Sequence, residues 1–155
     1  MADQRITPCL WFDGNAEEAV EQYVSIFPNS KIDRLSRYGE GGPGKPGSAM
    51  MIAFTLDGMS FQALNGGPMY KFTESVSLSI SCADQAEVDH YWSNLSDGGA
   101  PGRCGWLKDR FGLSWQVVPH AMGRIMSGPG GGRAMQAMMG MGKLDIAALE
   151  RAAAG

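Results

Sequence analysis

The sequence predicts an α+β protein built from two β-α-β-β-β modules, whose strands form a curved mixed sheet around a cup, with a helical extension at the C-terminus. Two observations carry this reading. Displacing the first half of the chain by 69 positions lays Asn15 on Asp84, Glu18 on Glu87, Ala19 on Val88, Tyr23 on Trp92 and Ile26 on Leu95. Two helices therefore share a cap, a capping-box acid and an aromatic position. Each also follows a short apolar strand and precedes further strands. The expected bounds are about residues 5–66 for module one, 74–119 for module two and 120–155 for the extension, within a single domain spanning 1–155.

Taken in order, Ile6 to Phe12 is a short apolar run that reads as a strand, broken by Asp13-Gly14-Asn15. Ala16, Ala19, Val20, Tyr23 and Phe27 then recur at helical spacing behind Asn15 as N-cap, and Pro28-Asn29-Ser30 ends the helix. Lys31 to Tyr38 reads as a polar strand near an edge. Gly39 to Ser48 is rich in Gly and Pro and reads as a mobile loop, placed to act as a lid. Met50, Ile52, Phe54 and Leu56 define one face of the next strand, and Asp57-Gly58 is the favoured two-residue hairpin turn before Met59 to Asn65.

In the second half, Val76, Leu78, Ile80 and Cys82 alternate with Ser75, Ser77, Ser79 and Ser81, which is the period of a strand with one apolar face. Asp84 caps a helix with Val88, Tyr91, Trp92 and Leu95 as its stripe, and Asp97-Gly98-Gly99 stops it. Two strands follow, Arg103 to Lys108 and Leu113 to Val118. Beyond a breaker at Gly128 to Gly132, residues Arg133 to Ala153 form a Met-rich helix interrupted around Gly140 and Gly142, expected to dock on its own domain or on a second subunit.

Composition excludes several functions. Apolar residues make up 44% and charged residues 19%, which is a globular balance, and the net charge of −3 disfavours nucleic acid or an anionic membrane as partner. No apolar run reaches the ~18 residues of a membrane span. Cys9, Cys82 and Cys104 are odd in number and lack C-x-x-C spacing, so the reading is a cytoplasmic protein with neither a disulfide framework nor a zinc knuckle. Gly39-x-x-x-x-Gly44-Lys45 falls short of a phosphate-binding loop, because Pro46 replaces the Ser or Thr and a strand follows.

The strings ITPCLWFDGNAEEAVEQYVSIFPNS, FQALNGGP, CGWLKDRFGLSWQVVP and RAMQAMMGMGKLDIAALERA carry a resemblance over nearly the whole chain. It is to the vicinal-oxygen-chelate superfamily (glyoxalase, bleomycin resistance, dihydroxybiphenyl dioxygenase). Within it the strings resemble the PhnB-like subgroup, often labelled 3-demethylubiquinone-9 3-methyltransferase-like. The resemblance implies a homodimer and a small-molecule cup. It also implies four inward-facing strand positions that hold a divalent ion in metal-dependent members. Aligned on the helix caps and the KDRFG turn, those positions read Pro8, Gln62, Ser77 and Gln116. Such a set is expected to leave the cup metal-free and without a cofactor, since transition metals want imidazole, carboxylate or thiolate. A slip of one residue would exchange the two faces of a strand.

Gln62, Asn65, Ser77 and Gln116 are candidates to orient a ligand through amide and hydroxyl hydrogen bonds, against the plainer alternative of a solvated strand face. Trp106 and Lys108 suit an anionic or planar ligand by stacking and charge. The alternative is a simple hairpin with Asp109 shaping its turn. Cys104 beside Arg103 is a candidate nucleophile, but no His or helix N-terminus is placed to activate it. Trp115 is expected under the helices. Two function classes stay open: a metal-free small-molecule binder, and a metal-dependent lyase, isomerase or dioxygenase. Methyl transfer is a weaker third, because nothing has the order of an S-adenosylmethionine site in a doubly wound sheet.

Overall fold

The computed structural model describes residues 3–155, which divide into two compact units, the first ending at Lys71 and the second spanning Phe72–Gly155. The first unit holds β1 (Cys9–Phe12), α1 (Ala16–Ile26), β2 (Lys31–Arg37), β3 (Ala49–Leu56) and β4 (Met59–Asn65). The second holds β5 (Ser77–Cys82), α2 (Gln85–Ser96), β6 (Ala100–Pro101), β7 (Trp106–Lys108) and β8 (Ser114–Pro119). Helices α3 (Met122–Ser127), α4 (Gly131–Met139) and α5 (Ile146–Ala154) close the chain. The β-α-β-β-β order thus occurs twice. In module two the first strand after the helix is β6, at two residues too short to register as a sequence pattern.

Both modules solve the same packing problem in the same way. Each makes its own four-stranded mixed sheet, ordered β1-β4-β3-β2 and β5-β8-β7-β6, with the first strand running parallel to the last. A parallel neighbour requires a crossover, and the helix supplies it while covering one face. In module one, α1 buries Ala19, Val20 and Tyr23 over Ile52, Phe54 and Ala63, all fully excluded from water. Phe54 and Phe61 stack across the strand pair with ring centroids 5.5 Å apart. Each such side chain stabilises the fold by about 1.5–3 kcal/mol relative to exposure. Strand β2 sits at the edge, as its polarity suggests, and is bulged between Ile32 and Arg34. The Asp57-Gly58 turn has φ of 46° and 81°, the left-handed pair that lets two strands reverse in two residues.

The capping expectations hold unequally. In α2 the Asp84 carboxylate accepts from Glu87 N at 2.9 Å, and Glu87 returns a bond to Ala83 N. In α1 Asn15 occupies the N-cap position but makes no side-chain cap bond. There Asn65 on β4 reaches across and accepts from Ala16 N at 3.0 Å.

The loop over residues 39–48 is better anchored than its composition suggests. Tyr38 N donates to Ser48 O and Gly47 N donates to Tyr38 O, while Gly42 and Gly44 lie against the Tyr38 ring. The terminal helix is broken in two, α4 and α5. Together with α3 they bury Ile125, Ala134, Leu144 and Leu149 in a small core of their own. This extension docks on module two. Gln85 accepts from Ile146 N and donates to Leu144 O, and Lys143 pairs with Asp89 at 2.8 Å.

Candidate ligand-binding site

Strand register sorts every site candidate onto a face, because directly paired residues share one. In module two, α2 covers the face bearing Cys82, Leu107, Trp115 and Val117. The opposite, open face is assembled from three strands. Ser77 pairs with Ser114, Ser114 with Lys108, and Gln116 with both Ser79 and Trp106. Four of the seven sequence candidates, Ser77, Trp106, Lys108 and Gln116, therefore meet on one surface. The Gln116 amide donates to Ser77 Oγ at 2.9 Å, which fixes its amide orientation.

At one end of this face lies a cleft of about 310 Å³ whose lining includes Glu74, Ala100, Pro101, Trp106, Lys108 and Ser114. The Lys108 ammonium pairs with the Glu74 carboxylate. That hydrogen bond, ahead of the Coulomb attraction, holds the Glu74 carboxyl below its ordinary range. Ser114 is 1% exposed, and among the described residues its hydroxyl has no hydrogen-bond partner. Glu74 and Ser114 were not sequence candidates. Ser114 has the same strand parity as Gln116 and could have been found by period alone, whereas Glu74 reaches the site only because a turn returns it there.

The remaining candidates stand elsewhere. Asn65 lies on the helix-covered side of module one. It is 8% exposed, with its carbonyl on Ala16 N and its amide donating to Ala49 O at 2.9 Å. Both ends of the amide serve the fold, so Asn65 fastens α1 to the sheet. Cys104 sits in the β6–β7 loop at φ 57°, where its backbone N donates to Met141 O and so ties the loop to the C-terminal extension. Asp109 does shape the turn, accepting from Phe111 N and Leu113 N, and also takes the indole N–H of Trp115 at 2.9 Å. Trp115 is 2% exposed and lies on the face that α2 covers, as expected.

Gln62 lies on the face of module one that α1 leaves uncovered. Cys9, not Pro8, is the strand partner of Gln62, and Pro8 contributes only its carbonyl to Gln62 N. Trp11 shares that face. Its indole donates to Gly67 O at 2.9 Å and its ring meets Tyr70 edge-on at 4.9 Å. The four positions that the resemblance assigns to an ion, Pro8, Gln62, Ser77 and Gln116, offer no imidazole, carboxylate or thiolate. Amides and hydroxyls are weak ligands for such ions. Among the described residues, no three His, Cys, Asp or Glu side chains converge. The donor set does not fit a transition metal.

The model of the 3-demethylubiquinone-9 3-methyltransferase family matches residues 4–118, which span both modules. The chain belongs to this PhnB-like family of the vicinal-oxygen-chelate superfamily. The PhnB protein from Bacillus cereus is 38% identical over 75% of this chain and 99% of its own, with a TM-score of 0.70. A Pseudomonas aeruginosa protein shares the fold at 21% identity and a TM-score of 0.63, covering 76% of this chain and 98% of that one. The fosfomycin resistance protein FosX from Listeria monocytogenes is more distant, at 18% identity and a TM-score of 0.51 over 74% of this chain and 89% of its own. No curated protein matches the chain. The PhnB-like modules end at β8, so helices α3 to α5 lie beyond the part that the family model covers.

Proposed function

We propose that this PhnB-like protein binds a small, partly apolar molecule on the open face of module two, without a transition metal. One observation carries the reading: Ser77, Trp106, Lys108, Ser114 and Gln116 share a face that α2 leaves uncovered, beside a cleft of binding-site size. The donor set supports the metal-free part. Elemental analysis of protein purified without chelator, and again after soaking in Zn, Mn and Ni salts, is expected to show no stoichiometric ion. One equivalent of bound metal would overturn the reading in favour of a metal-dependent lyase, isomerase or dioxygenase. A thermal-shift screen of small metabolites is expected to yield a ligand whose affinity falls in Gln116→Leu while the free protein's stability changes little.

Methyl transfer enters through the family's description. A common S-adenosylmethionine site uses a Gly-rich turn after the first strand of a parallel, doubly wound sheet. Here Asp13-Gly14-Asn15 follows β1, and each sheet is mixed and four-stranded. Calorimetric titration with S-adenosylmethionine is expected to give no heat of binding. The same proposal places the protein in the cytoplasm as a homodimer. Three free cysteines suit a reducing compartment, and Met135 and Met139 stay exposed on α4. Among the described residues, no helix is long and apolar enough to cross a membrane. Light scattering on the purified chain tests the dimer, and a monomer at micromolar concentration would remove it.

A further inference from the structure

A buried hydroxyl without a partner destabilises a fold unless something completes it. Among the described residues Ser114 is such a group: its hydroxyl is closed to water, and the residue lines the cleft beside Lys108, its antiparallel neighbour on β7. The charge on Lys108 is met by Glu74, which stands in the turn just before β5. The side chains of this pair are 43% and 60% exposed, so the contact is screened and opens at little cost. Trp106 and Pro101 supply flat, apolar walls. The cleft thus contains a carboxylate already seated on an ammonium, an orphan donor next to it, and a surface for a planar body.

We propose that the Lys108–Ser114 cleft receives the carboxylate of a small planar ligand, and that Glu74 is the resident carboxylate this ligand displaces. The proposal rests on the small-molecule reading above and names the ligand class. Once Glu74 has swung off Lys108, the incoming carboxylate takes the ammonium and accepts from Ser114 Oγ, which is closed to water while the cleft is empty, so that hydroxyl gains its missing partner. The ligand's ring lies against Trp106. Glu74 then acts as a latch, keeping the cation paired when the cleft is empty and setting a charge threshold that neutral molecules do not cross.

The probe is benzoate, with benzamide as its neutral counterpart, titrated into the full chain by calorimetry up to about 10 mM, since so small a ligand is limited to weak affinity. Benzoate is expected to bind and benzamide not. Glu74→Gln removes the competitor and is expected to tighten benzoate up to about fivefold, the range of an exposed ion pair. Lys108→Met is expected to abolish binding. Ser114→Ala is the decisive variant: losing one neutral hydrogen bond weakens benzoate about fivefold, yet the free protein unfolds at the same or a higher temperature because an unsatisfied group has gone.

Binding of benzoate that is unchanged in Lys108→Met, equal binding of benzamide, or no benzoate binding by either wild type or Glu74→Gln would overturn the proposal. So would a lower melting temperature in Ser114→Ala, since that would mean the hydroxyl serves the fold. The broader reading fails separately. If a ligand from the metabolite screen loses affinity in Gln116→Leu but not in Lys108→Met, the open-face site stands and the carboxylate cleft falls.

Discussion

Replacing Asp109 with Ala should be among the most damaging single changes in module two, and the structure sets its scale. The residue is 3% exposed. One oxygen accepts from Phe111 N at 2.9 Å and Leu113 N at 3.0 Å, and the other accepts from the buried Trp115 indole at 2.9 Å. Hydrogen bonds to a carboxylate are worth about 1.5–3 kcal/mol each, but donors that share one acceptor are not additive. Truncation also leaves a buried indole N–H unsatisfied, at about 1–3 kcal/mol. A loss of roughly 3–5 kcal/mol follows, comparable with breaking a buried ion pair. For a chain of this length that lowers the melting temperature by roughly 10 °C, and with a typical urea slope it lowers the midpoint by roughly 2 M.

Urea unfolding followed by tryptophan fluorescence and far-ultraviolet circular dichroism measures the loss. Asp109→Asn should fall between wild type and Ala, because its NH₂ must face a donor that the carboxylate accepted. Trp115→Phe combined with Asp109→Ala should show a coupling of about 1 kcal/mol or more. A loss below about 1 kcal/mol in Asp109→Ala, or no coupling to Trp115, would refute the network as a structural anchor.

Other expectations follow from equally local geometry. Gly130→Ala places a Cβ on the Ala153 carbonyl, a backbone overlap that no rotamer relieves, so limited proteolysis should cut the C-terminal extension faster. Wild-type cleavage rates would show that α4 and α5 pack less closely. Asn65→Ala removes the bonds to Ala16 N and Ala49 O and should cost about 2–3 kcal/mol in chemical denaturation, whereas a ligand-binding Asn would leave stability unchanged. Thiol labelling at pH 8 should modify exposed Cys9 well before Cys82, which is fully buried and whose pKa burial raises to about 11. Ionising Cys82 opposes folding, so its contribution is present below pH 9 and is lost as pH rises from there through 11. Equal labelling rates for the two thiols would contradict the burial.

Much of the fold was legible in the sequence because the periodicities there were strong. The serine alternation from Ser75 placed Ser77 and Ser79 opposite Cys82, and the Asp84–Glu87 box marked the start of α2, which the hydrogen bonds reproduce. The two-residue strand β6 was not legible, since two residues cannot show a period. Asn15 shows the limit of local rules. Its type and position signalled a side-chain cap, but Asn65, fifty residues on, makes the bond to the helix, because strand pairing brought a better-placed amide to Ala16.

The site divides in the same way. The sequence by itself determined the repeat, the chemistry of the donor set and the strand carrying Trp106 and Lys108. Tertiary structure alone decided which of them meet. Register put Cys9 beside Gln62, sent Asn65 to the core side, and set Lys108, Ser114 and Gln116 on one surface. The reason is physical: a strand's two faces differ by a single residue of register, and only the ladder of backbone hydrogen bonds fixes that register.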